Sequence, residues 1–444
     1  SYFAPSPTPD QRPADAHQAL RRLGIKRPFL LNVGGEDDRK NVWGVLDGFA
    51  LLPSDVREGV QLVITCKYTT NYKNSIISYA QNSGISSSLV LTDRVDDEAL
   101  RCLYQACEVF ISASIYEGFG LPILEAMHCG APVVAANNSS QPEVVGDAGL
   151  LYSTNDPGDL ARQLLRVLKD DGLAGRMRAA SIRQATNFSW TKTAEQALQE
   201  MLRATQTAPS QYSLETSRRS RPTARPRVAM FSPLPPKPSG ISDYTARLAG
   251  ALEADYAVDL YHDDGYVPFL DFQSNSLRCF DHRLFERNAR VIPYRSVIYQ
   301  VGNSHFHQYL YRYMRLQPGI VTLHDFSLAG YHYQVTCQQS KDQLEPLYRA
   351  YREATNDSSL PDWSSLVDDP RGPQQACREL GIFLNHEVFQ HSEAVVVHSH
   401  WCRRHAARLY PAHANKVVVA NFGADGVAFS PEGRALLRKK YDVS

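Results

Sequence analysis

The chain has 444 residues, of which 43% are hydrophobic and 21% are charged, a composition typical of a globular protein long enough for two domains. Lysine plus arginine equals aspartate plus glutamate at 47 each, so the net charge does not point to a nucleic-acid partner. No apolar run approaches the roughly 20 residues of a membrane-spanning helix. Eight cysteines occur without a C-x-x-C pair, which predicts reduced thiols in a cytoplasmic protein.

The first part of the chain alternates short apolar strands with helices. Strands are predicted in "FLLNVGG", "QLVIT", "EVFISAS", "APVVAA" and "AGLLYS". Helices are predicted in "NVWGVLDGFALL" and in "DDEALRCLYQAC", the second with Asp96 or Asp97 as its cap. This alternation favours a doubly wound parallel sheet, so residues 1–203 are predicted to form one Rossmann-like α/β domain.

A second domain of the same class is predicted after a linker. Residues 204–226 are rich in Ser, Thr, Pro and Arg and lack apolar periodicity, which predicts a flexible linker. Residues 227–444 then carry a helix in "GISDYTARLAGALEADY" and a less regular helical insertion near 340–392. Strands are predicted in "RVAMFSPLP", "AVDLYH", "SVIYQVG", "GIVTLHD", "AVVVHS" and "KVVVANF".

One stretch of the first domain, "SIYEGFGLPILEAMHCGAPVVAANNSSQPEVV", is predicted to bind a ligand. It follows a strand at the carboxyl edge of the sheet, where doubly wound folds place ligands. Its loop leads into a helix with Pro122 in the first turn, and Gly118 and Gly120 allow close backbone approach. The free amides around Phe119, Gly120 and Leu121 then face outward with the positive end of the helix dipole, which favours a diphosphate.

Two carboxylates bracket this turn. Glu117 lies just before it, on the side where a sugar would sit, and Glu125 lies about one helical turn inside, where it can accept hydrogen bonds from ribose hydroxyls. Two glutamates at this spacing are by themselves common on helix surfaces. The order strand, Glu, Gly-aromatic-Gly, Pro, Glu favours a clasp for the two ends of a nucleotide sugar.

Residues 28–200 resemble the nucleotide-sugar-binding half of retaining GT-B glycosyltransferases of family 4, which carry an E-x7-E motif. The resemblance rests on "NVGGEDDRKN", "YEGFGLPILEAMHCGAPVVA", "SSQPEVVGDAGLL" and "FSW". It implies that Glu125 holds the ribose, that Glu117 contacts hydroxyls of the donor sugar, and that the amides from Phe119 to Leu121 meet the distal phosphate and sugar.

The resemblance also implies a basic pair beside the diphosphate, because negative charge builds on the leaving group as the glycosidic bond breaks. Lys40 fits this role. Many members of the family have an arginine directly after the first glycine, where this chain has Gly35, so Arg39 is the candidate for the second charge. The alternative for both basic residues is a solvated helix start.

The second domain resembles the acceptor-side half of the same family, through "MFSPLPPKPSGISDYTARLAGAL", "YQVGNSHFH", "GIVTLHDFSL" and "VVVHSHWCRRH". Gly240 permits close approach at the start of a helix that Ser242 or Asp243 can cap. The family places a histidine beside the transferred sugar at the end of "GIVTLHD", which makes His324, with Asp325 next to it, a candidate for the reaction centre. The alternative for His324 is a core or turn histidine.

Histidine pairs raise the question of a metal. His305 and His307, like His398 and His400, have the H-x-H spacing that places both rings on one face of a strand. No Cys or carboxylate completes either set at a familiar spacing, and the family mostly works without a metal. No metal and no cofactor other than the nucleotide-sugar substrate is therefore expected.

The order of the halves is reversed relative to the family, in which the acceptor domain comes first and the site lies in the cleft between the domains. One interpretation is a window from a tandem polypeptide, with the donor half of one transferase and the acceptor half of the next. The other is a circular permutant, since a linker of this length spans about 27 Å. A weak likeness between "ADAHQALRRLGIKRP" and "PEGRALLRKKYDVS" favours the tandem interpretation.

The resemblance therefore predicts a retaining glycosyltransferase that moves a hexose from a nucleoside diphosphate sugar to a bacterial surface glycan such as O-antigen. The "RKN" loop suggests GDP-mannose or a deoxyhexose donor, and base and sugar remain open. The expected partners are the nucleotide sugar, a glycan or lipid-linked glycan, and further GT-B domains, with peripheral contact to the inner membrane left open. The alternatives are a sugar-nucleotide epimerase, a phosphorylase, or a catalytically idle scaffold module.

Overall fold

The computed structural model describes residues 20, 23–26, 28–190, 192, 193, 195, 196, 199, 225–269, 276–336, 341–367, 376, 377 and 379–423. The chain divides into two compact units, one made of Ser1–Ser189 with Phe422–Ser444 and the other of Trp190–Asn421. The expected domain end at residue 203, the linker over 204–226 except Arg225 and Pro226, and most of the two similar segments fall outside the described residues.

The first unit contains a parallel sheet of six strands in the order β3-β2-β1-β4-β5-β6. This is the doubly wound arrangement, in which the strand order reverses between β1 and β4. The strands are β1 Phe29–Val33, β2 Gln61–Thr65, β3 Leu89–Thr92, β4 Val109–Ser112, β5 Val133–Ala136 and β6 Leu150–Tyr152. The helices are α1 Val42–Ala50, α2 Ser54–Gly59, α3 Thr70–Asn82, α4 Asp97–Ala106, α5 Leu121–His128, α6 Gln141–Val145, α7 Pro157–Lys169 and α8 Asp171–Ala185.

The core of the first unit lies between this sheet and its helices. Leu30 and Leu62 of the strands are fully buried, as are Phe49 of α1 and Leu160 of α7. The helices α1 and α7 cross closely because α1 has a glycine at the contact: a β-carbon added to Gly48 would lie 2.6 Å from Leu160 Cδ2. The alternation of buried strand and helix in this unit confirms the predicted fold class.

The second unit repeats the topology in a sheet of seven parallel strands, ordered β13-β12-β11-β10-β7-β8-β9. Its order reverses between β7 and β10. The strands are β7 Arg227–Phe231, β8 Ala257–His262, β9 Leu277–Asp281, β10 Tyr294–Val301, β11 Gly319–Leu323, β12 Ser392–Val397 and β13 Val417–Val419. The helices are α9 Gly240–Leu252, α10 Phe285–Ala289, α11 Gln308–Leu316, α12 Ala329–Thr336, α13 Glu345–Thr355, α14 Trp363–Val367, α15 His386–Gln390 and α16 His400–Leu409.

The segment that starts at Trp190 belongs to the second unit. The Trp190 ring packs on Tyr244 with centroids 5.3 Å apart, and Thr193 Oγ1 donates to the Asn421 carbonyl at 2.7 Å. The sequence pattern instead predicted that this segment belongs to the first domain, which was expected to end at residue 203. No helix in the described ranges is both long and apolar enough to cross a membrane.

The local sequence patterns predicted most elements and missed two strands. Asp96 caps α4 by accepting from the Ala99 amide at 2.8 Å, which confirms that expectation. The strands β3 and β9 were not predicted. Both lie at sheet edges and are only partly buried, so neither needs the continuous apolar run by which buried strands are recognised.

Candidate functional site

The candidate site of the first unit lies where the strand order reverses, at the carboxyl ends of β1 and β4. The loop after β1 carries Lys40, and the loop after β4 carries Glu117. The Ile115 amide donates to the Arg39 carbonyl at 2.8 Å, which ties the two loops together. Doubly wound sheets bind ligands in the crevice at this reversal, so the fold brings the predicted residues to the position where a ligand is expected.

A partly buried ion pair joins the two loops. Lys40 Nζ lies 2.6 Å from Glu117 Oε1, and Ser114 Oγ donates to the same oxygen at 2.7 Å. Burial by itself raises the pKa of Glu117, but the charge and hydrogen bond of Lys40, the Ser114 hydroxyl and the charge of Arg39 outweigh it and lower the pKa below its usual range. Glu117 is therefore ionised at neutral pH.

The second predicted cation is paired as well. Arg39 donates through Nε to Asp37 Oδ2 at 2.7 Å, and its backbone amide donates to Asp37 Oδ1 at 2.9 Å. The charges of Lys40 and Arg39 are thus balanced by those of Glu117 and Asp37 in this structure. Asp37 was not predicted as a site residue. The sequence contained the signal, because Asp37 stands two residues before Arg39 in "EDDRKN".

The Gly-Phe-Gly turn is positioned from the loop after β5. Ser139 Oγ accepts from the Glu117 amide at 3.0 Å, and Ser140 Oγ bonds the carbonyls of Glu117 at 2.9 Å and Phe119 at 2.8 Å. These serines were not predicted as site residues, although a run of small polar residues after a strand at the ligand edge is a usable signal. Gly118 is buried within the turn.

The end of the turn presents the amino terminus of α5. Gly120 is its N-cap with φ 107°, in the left-handed region that favours glycine, and no described side chain caps it. Pro122 has no N–H and the Ile123 amide donates to the Gly120 carbonyl at 3.0 Å, so within the first turn of α5 the Leu121 amide is the donor that a ligand can use. The Phe119 ring points inward instead, packing 5.6 Å from Phe188 and 5.3 Å from Phe422, so only the backbone of Phe119 is available to a ligand.

Glu125 lies one turn inside α5 and is held by α4. Its Oε2 accepts from the Tyr104 hydroxyl at 3.0 Å. Burial raises the pKa of Glu125 to about 7, against the opposing effect of the Tyr104 hydrogen bond, while Asp97 raises it further and Lys40 lowers it. Tyr104 is fully buried and was not predicted as a site residue. Its place in the sequence of α4 predicts only a core-facing position of an amphipathic helix.

In the second unit, His324 follows β11 at the carboxyl edge, as expected, and its ring lies in a buried cluster. His324 Nε2 lies 2.7 Å from the Gln300 side chain, and Nδ1 lies 3.2 Å from His398 Nε2. The Tyr244 ring meets His324 edge-on with centroids 4.6 Å apart. Both ring nitrogens of His324 are thus occupied by side chains of its own unit.

The hydrogen bonds of this cluster fix its protonation. His398 Nδ1 lies 2.8 Å from the Ala420 carbonyl, which can only accept, so Nδ1 carries a proton. Burial lowers the pKa of His398 to about 4 and that of His324 well below its usual range, so both rings are neutral. His324 then donates from Nδ1 to His398 and accepts at Nε2, which requires the amide nitrogen of Gln300 to face it.

The other predicted residues of the second unit are Asp325, which follows His324 in the chain, and Gly240, at the start of α9. Asp325 Oδ2 accepts from the Asn303 amide in the loop after β10 at 3.0 Å. Gly240 is exposed, and a β-carbon added to it would meet nothing within 4 Å. The predicted caps of α9 were wrong: Ser239 accepts from the Ile241 amide at 3.3 Å, because the helix begins two to three residues before Ser242 and Asp243.

Neither histidine pair lies on one face of a strand. His305 and His307 occupy a 3₁₀ turn, while His398 follows β12 and His400 begins α16. Within the described ranges, no group of three or more His, Cys, Asp or Glu side chains is arranged to hold a metal ion. The described cysteines are free thiols, and most of them are buried.

Residues 17–186 match the protein family described as "Glycosyl transferases group 1". The match covers 170 of the 444 residues, which is less than half of the chain. It contains Lys40, Glu117, the Gly-Phe-Gly turn and Glu125, and it coincides with the first compact unit in all but its ends.

Curated proteins are also similar to part of the chain. The chain is 36% identical over 180 residues to O-antigen chain mannosyltransferase B of Escherichia coli, a match that covers 40% of this chain and 47% of that protein. It is 31% identical over 197 residues to the serotype-specific mannosyltransferase WbdA of Escherichia coli, covering 44% of this chain and 24% of that protein. The match therefore spans about half of one relative and about a quarter of the other.

Solved structures also align with part of the chain. The C-terminal domain of the group 1 glycosyltransferase LpcC from Francisella tularensis is 19% identical and aligns over 42% of this chain and 95% of that one, with a TM-score of 0.36. HepE from Anabaena, solved in complex with UDP and glucose, is 21% identical over 40% of this chain and 48% of that one, with a TM-score of 0.36.

Proposed function

We propose that this chain carries the donor half of a retaining GT-B glycosyltransferase of family 4, which transfers a hexose from a nucleoside diphosphate sugar to a bacterial surface glycan. Its second unit is proposed as an acceptor-side half. The group 1 match of residues 17–186 and the mannosyltransferases among its relatives support this proposal. Mannose is accordingly the first sugar to test, with a deoxyhexose as the second.

The observation that carries the proposal is the Lys40–Glu117 pair at the reversal of strand order. Two loops from non-adjacent parts of the chain bring a cation and an ionised carboxylate together beside an uncapped helix start. A diphosphate needs the cation and the helix amides, and sugar hydroxyls need the carboxylate. A surface ion pair with a purely structural role would not require this location or the supporting serines.

The proposed chemistry assigns a role to each group. The amides from Phe119 to Leu121, with Lys40 and Arg39, offset the negative charge that grows on the diphosphate as the bond from the anomeric carbon to the phosphate oxygen breaks. The acceptor hydroxyl oxygen forms the new bond on the same face. Its proton passes to the departing phosphate oxygen, which leaves as part of the nucleoside diphosphate.

Glu117 and Glu125 hold the two sugars of the donor in this proposal. Ionised Glu117 accepts hydrogen bonds from hydroxyls of the transferred hexose, and Glu125 accepts from the ribose. Donor binding must also redistribute the pairing of Lys40, since its ammonium is neutralised by Glu117 in the present structure. The proposal involves no metal ion, and His324 and Asp325 are assigned to the acceptor side together with the helix that starts at Gly240.

Calorimetric titration of the 444-residue chain with GDP, UDP and dTDP tests the proposal. Selective binding of one nucleotide is expected, and Lys40→Ala should weaken it at least about tenfold because a charge-assisted contact to phosphate is lost. Lys169→Ala is the matched control, since Lys169 is an exposed lysine at the end of α7. Equal affinity of wild type and Lys40→Ala, or no nucleotide binding at all, would refute the donor site.

A transfer assay then separates the two interpretations of the domain order. A circular permutant should transfer labelled hexose to a mannan acceptor by itself. A window from a tandem polypeptide should bind the nucleotide without transfer until the neighbouring domains are supplied. Consumption of donor without acceptor would instead indicate an epimerase, and a requirement for inorganic phosphate would indicate a phosphorylase.

A further inference from the structure

The helical insertion of the second unit contains a pocket of about 580 Å³ between α13 and α14. This volume lies within the range of small-molecule sites, roughly 300 to 1,000 Å³. It is separate from the glycosyltransferase group 1 match, which ends at residue 186. The lining residues used below are Glu345, Tyr348, Arg349, Arg352, Asp362 and Trp363.

The sequence places these side chains on two facing surfaces. Glu345, Tyr348, Arg349 and Arg352 stand at positions i, i+3, i+4 and i+7 of α13, which form one helix face. Trp363 begins α14. The pocket is therefore built by regular helix geometry.

One wall of the pocket is aromatic. The rings of Tyr348 and Trp363 lie with centroids 5.6 Å apart, and the Tyr348 hydroxyl donates to the Pro361 carbonyl at 2.7 Å, which fixes that ring. Trp363 keeps part of its surface accessible, whereas Tyr348 is fully buried, so Trp363 presents the aromatic surface of the pocket.

The polar groups of the pocket form two ion pairs. Arg349 pairs with Glu345 at 2.8 Å, and Arg352 pairs with Asp362 at 2.9 Å. The four charges cancel, so a phosphate or another anion would meet two carboxylates together with the guanidinium groups. A neutral polyol meets no such conflict, because its hydroxyls can donate to the carboxylates and accept from the guanidinium groups.

We propose that the pocket between α13 and α14 binds one monosaccharide unit of the glycan acceptor. A pyranose ring combines an apolar C–H face, which packs on an indole, with vicinal hydroxyls that suit paired carboxylate and guanidinium groups. The pocket holds the glycan and takes no part in the transfer of the hexose. The identity of this glycan rests on the proposed function, whereas saccharide binding itself requires no nucleotide.

Saturation-transfer NMR on the full chain tests the proposal, with α-linked mannotriose as the probe and inorganic phosphate as a charged competitor. Wild type should bind mannotriose, and Trp363→Ala should weaken the affinity about tenfold because the aromatic wall is lost. Trp363→Phe keeps an aromatic ring on this wall, so its affinity should lie closer to that of wild type than to that of Trp363→Ala. Arg352→Ala should also weaken binding.

The matched control is Arg312→Ala. Arg312 is exposed and ion-paired to Glu286 at 2.8 Å, as Arg352 is to Asp362, but it lies outside the pocket. Its affinity for mannotriose should equal that of wild type. Mannotriose affinity unchanged in Arg352→Ala, a failure of wild type to bind mannotriose, or displacement of mannotriose by phosphate would each overturn the proposal.

Nucleotide titration of the same samples distinguishes failure of this proposal from failure of the proposed function. Nucleotide binding without mannotriose binding would refute the proposed saccharide pocket and support the donor site. Mannotriose binding without nucleotide binding would support the pocket and refute the donor site. Arg352→Ala keeps the test decisive if Trp363→Ala fails to fold.

Discussion

Nucleotide binding should depend on pH through Glu125. The pKa of this carboxyl is raised to about 7, chiefly by burial, and the only hydrogen bond that stabilises its ionised form among the described side chains comes from Tyr104. Ribose hydroxyls can donate to the ionised form, whereas the protonated form offers a competing donor. Nucleotide affinity is therefore expected to rise with pH through the pKa of Glu125.

The size of this effect follows from the position of the pKa. A carboxyl is about 9% ionised one pH unit below its pKa and about 91% ionised one unit above it, so the association constant should rise about tenfold over that interval, or about 1.4 kcal/mol. Tyr104→Phe removes a bond that lowers the pKa of Glu125 and should move the rise to higher pH. Glu125→Gln should abolish this rise and weaken binding.

Calorimetry with the selected nucleoside diphosphate across this pH interval provides the assay. The terminal phosphate also titrates, with a second pKa of about 6, so the slope that remains in Glu125→Gln is subtracted as the contribution of the ligand. Tyr79→Phe is the matched control, because Tyr79 also donates to a carboxylate, that of Asp47, on a helix that does not contribute to the site. Identical slopes in wild type and Glu125→Gln would refute the reasoning.

Three further predictions concern the anchoring serine, the histidine cluster and a buried carboxylate. Ser140→Ala leaves two backbone carbonyls of the glycine turn without their donor, and should weaken nucleotide binding and destabilise the fold by about 1 to 3 kcal/mol in urea unfolding. Burial lowers the pKa of His324 and His398, so the unfolded chain takes up more protons and the thermal midpoint should fall as the pH drops from about 6.5 to 4. Asp259→Asn removes the charge of a fully buried carboxylate that pairs with both Arg227 and Arg278, and should cost about 3 kcal/mol in the same unfolding assay.

Matched variants distinguish these specific effects from nonspecific destabilisation of the fold. Ser181→Ala removes a buried serine that donates to the Ala131 carbonyl at 2.9 Å, so it should destabilise similarly without changing nucleotide affinity. Asp281→Asn breaks the exposed pair with Arg283 and should change stability by about 0.5 kcal/mol or less. An acid slope as steep in His398→Gln as in wild type would contradict the assignment to the histidine cluster.

Features with a local cause could be predicted from the sequence. The buried strands β1, β2 and β4 are continuous apolar runs, and the cap Asp96 is a short-range signal. The Gly-Phe-Gly turn before Pro122 likewise predicted the start of α5, because glycine conformation and proline preference act within a few residues. The spacing of Glu117 and Glu125 followed from the same short stretch.

The tertiary structure alone decided which groups meet. Lys40 and Glu117 are 77 residues apart in the chain and pair only because β1 and β4 are neighbours at the reversal of strand order. Ser140 reaches the glycine turn from the next strand, and Tyr104 reaches Glu125 from α4. The ionisation of the two glutamates also depended on the fold, since burial raises both pKa values and only Glu117 has a cation close enough to reverse that effect.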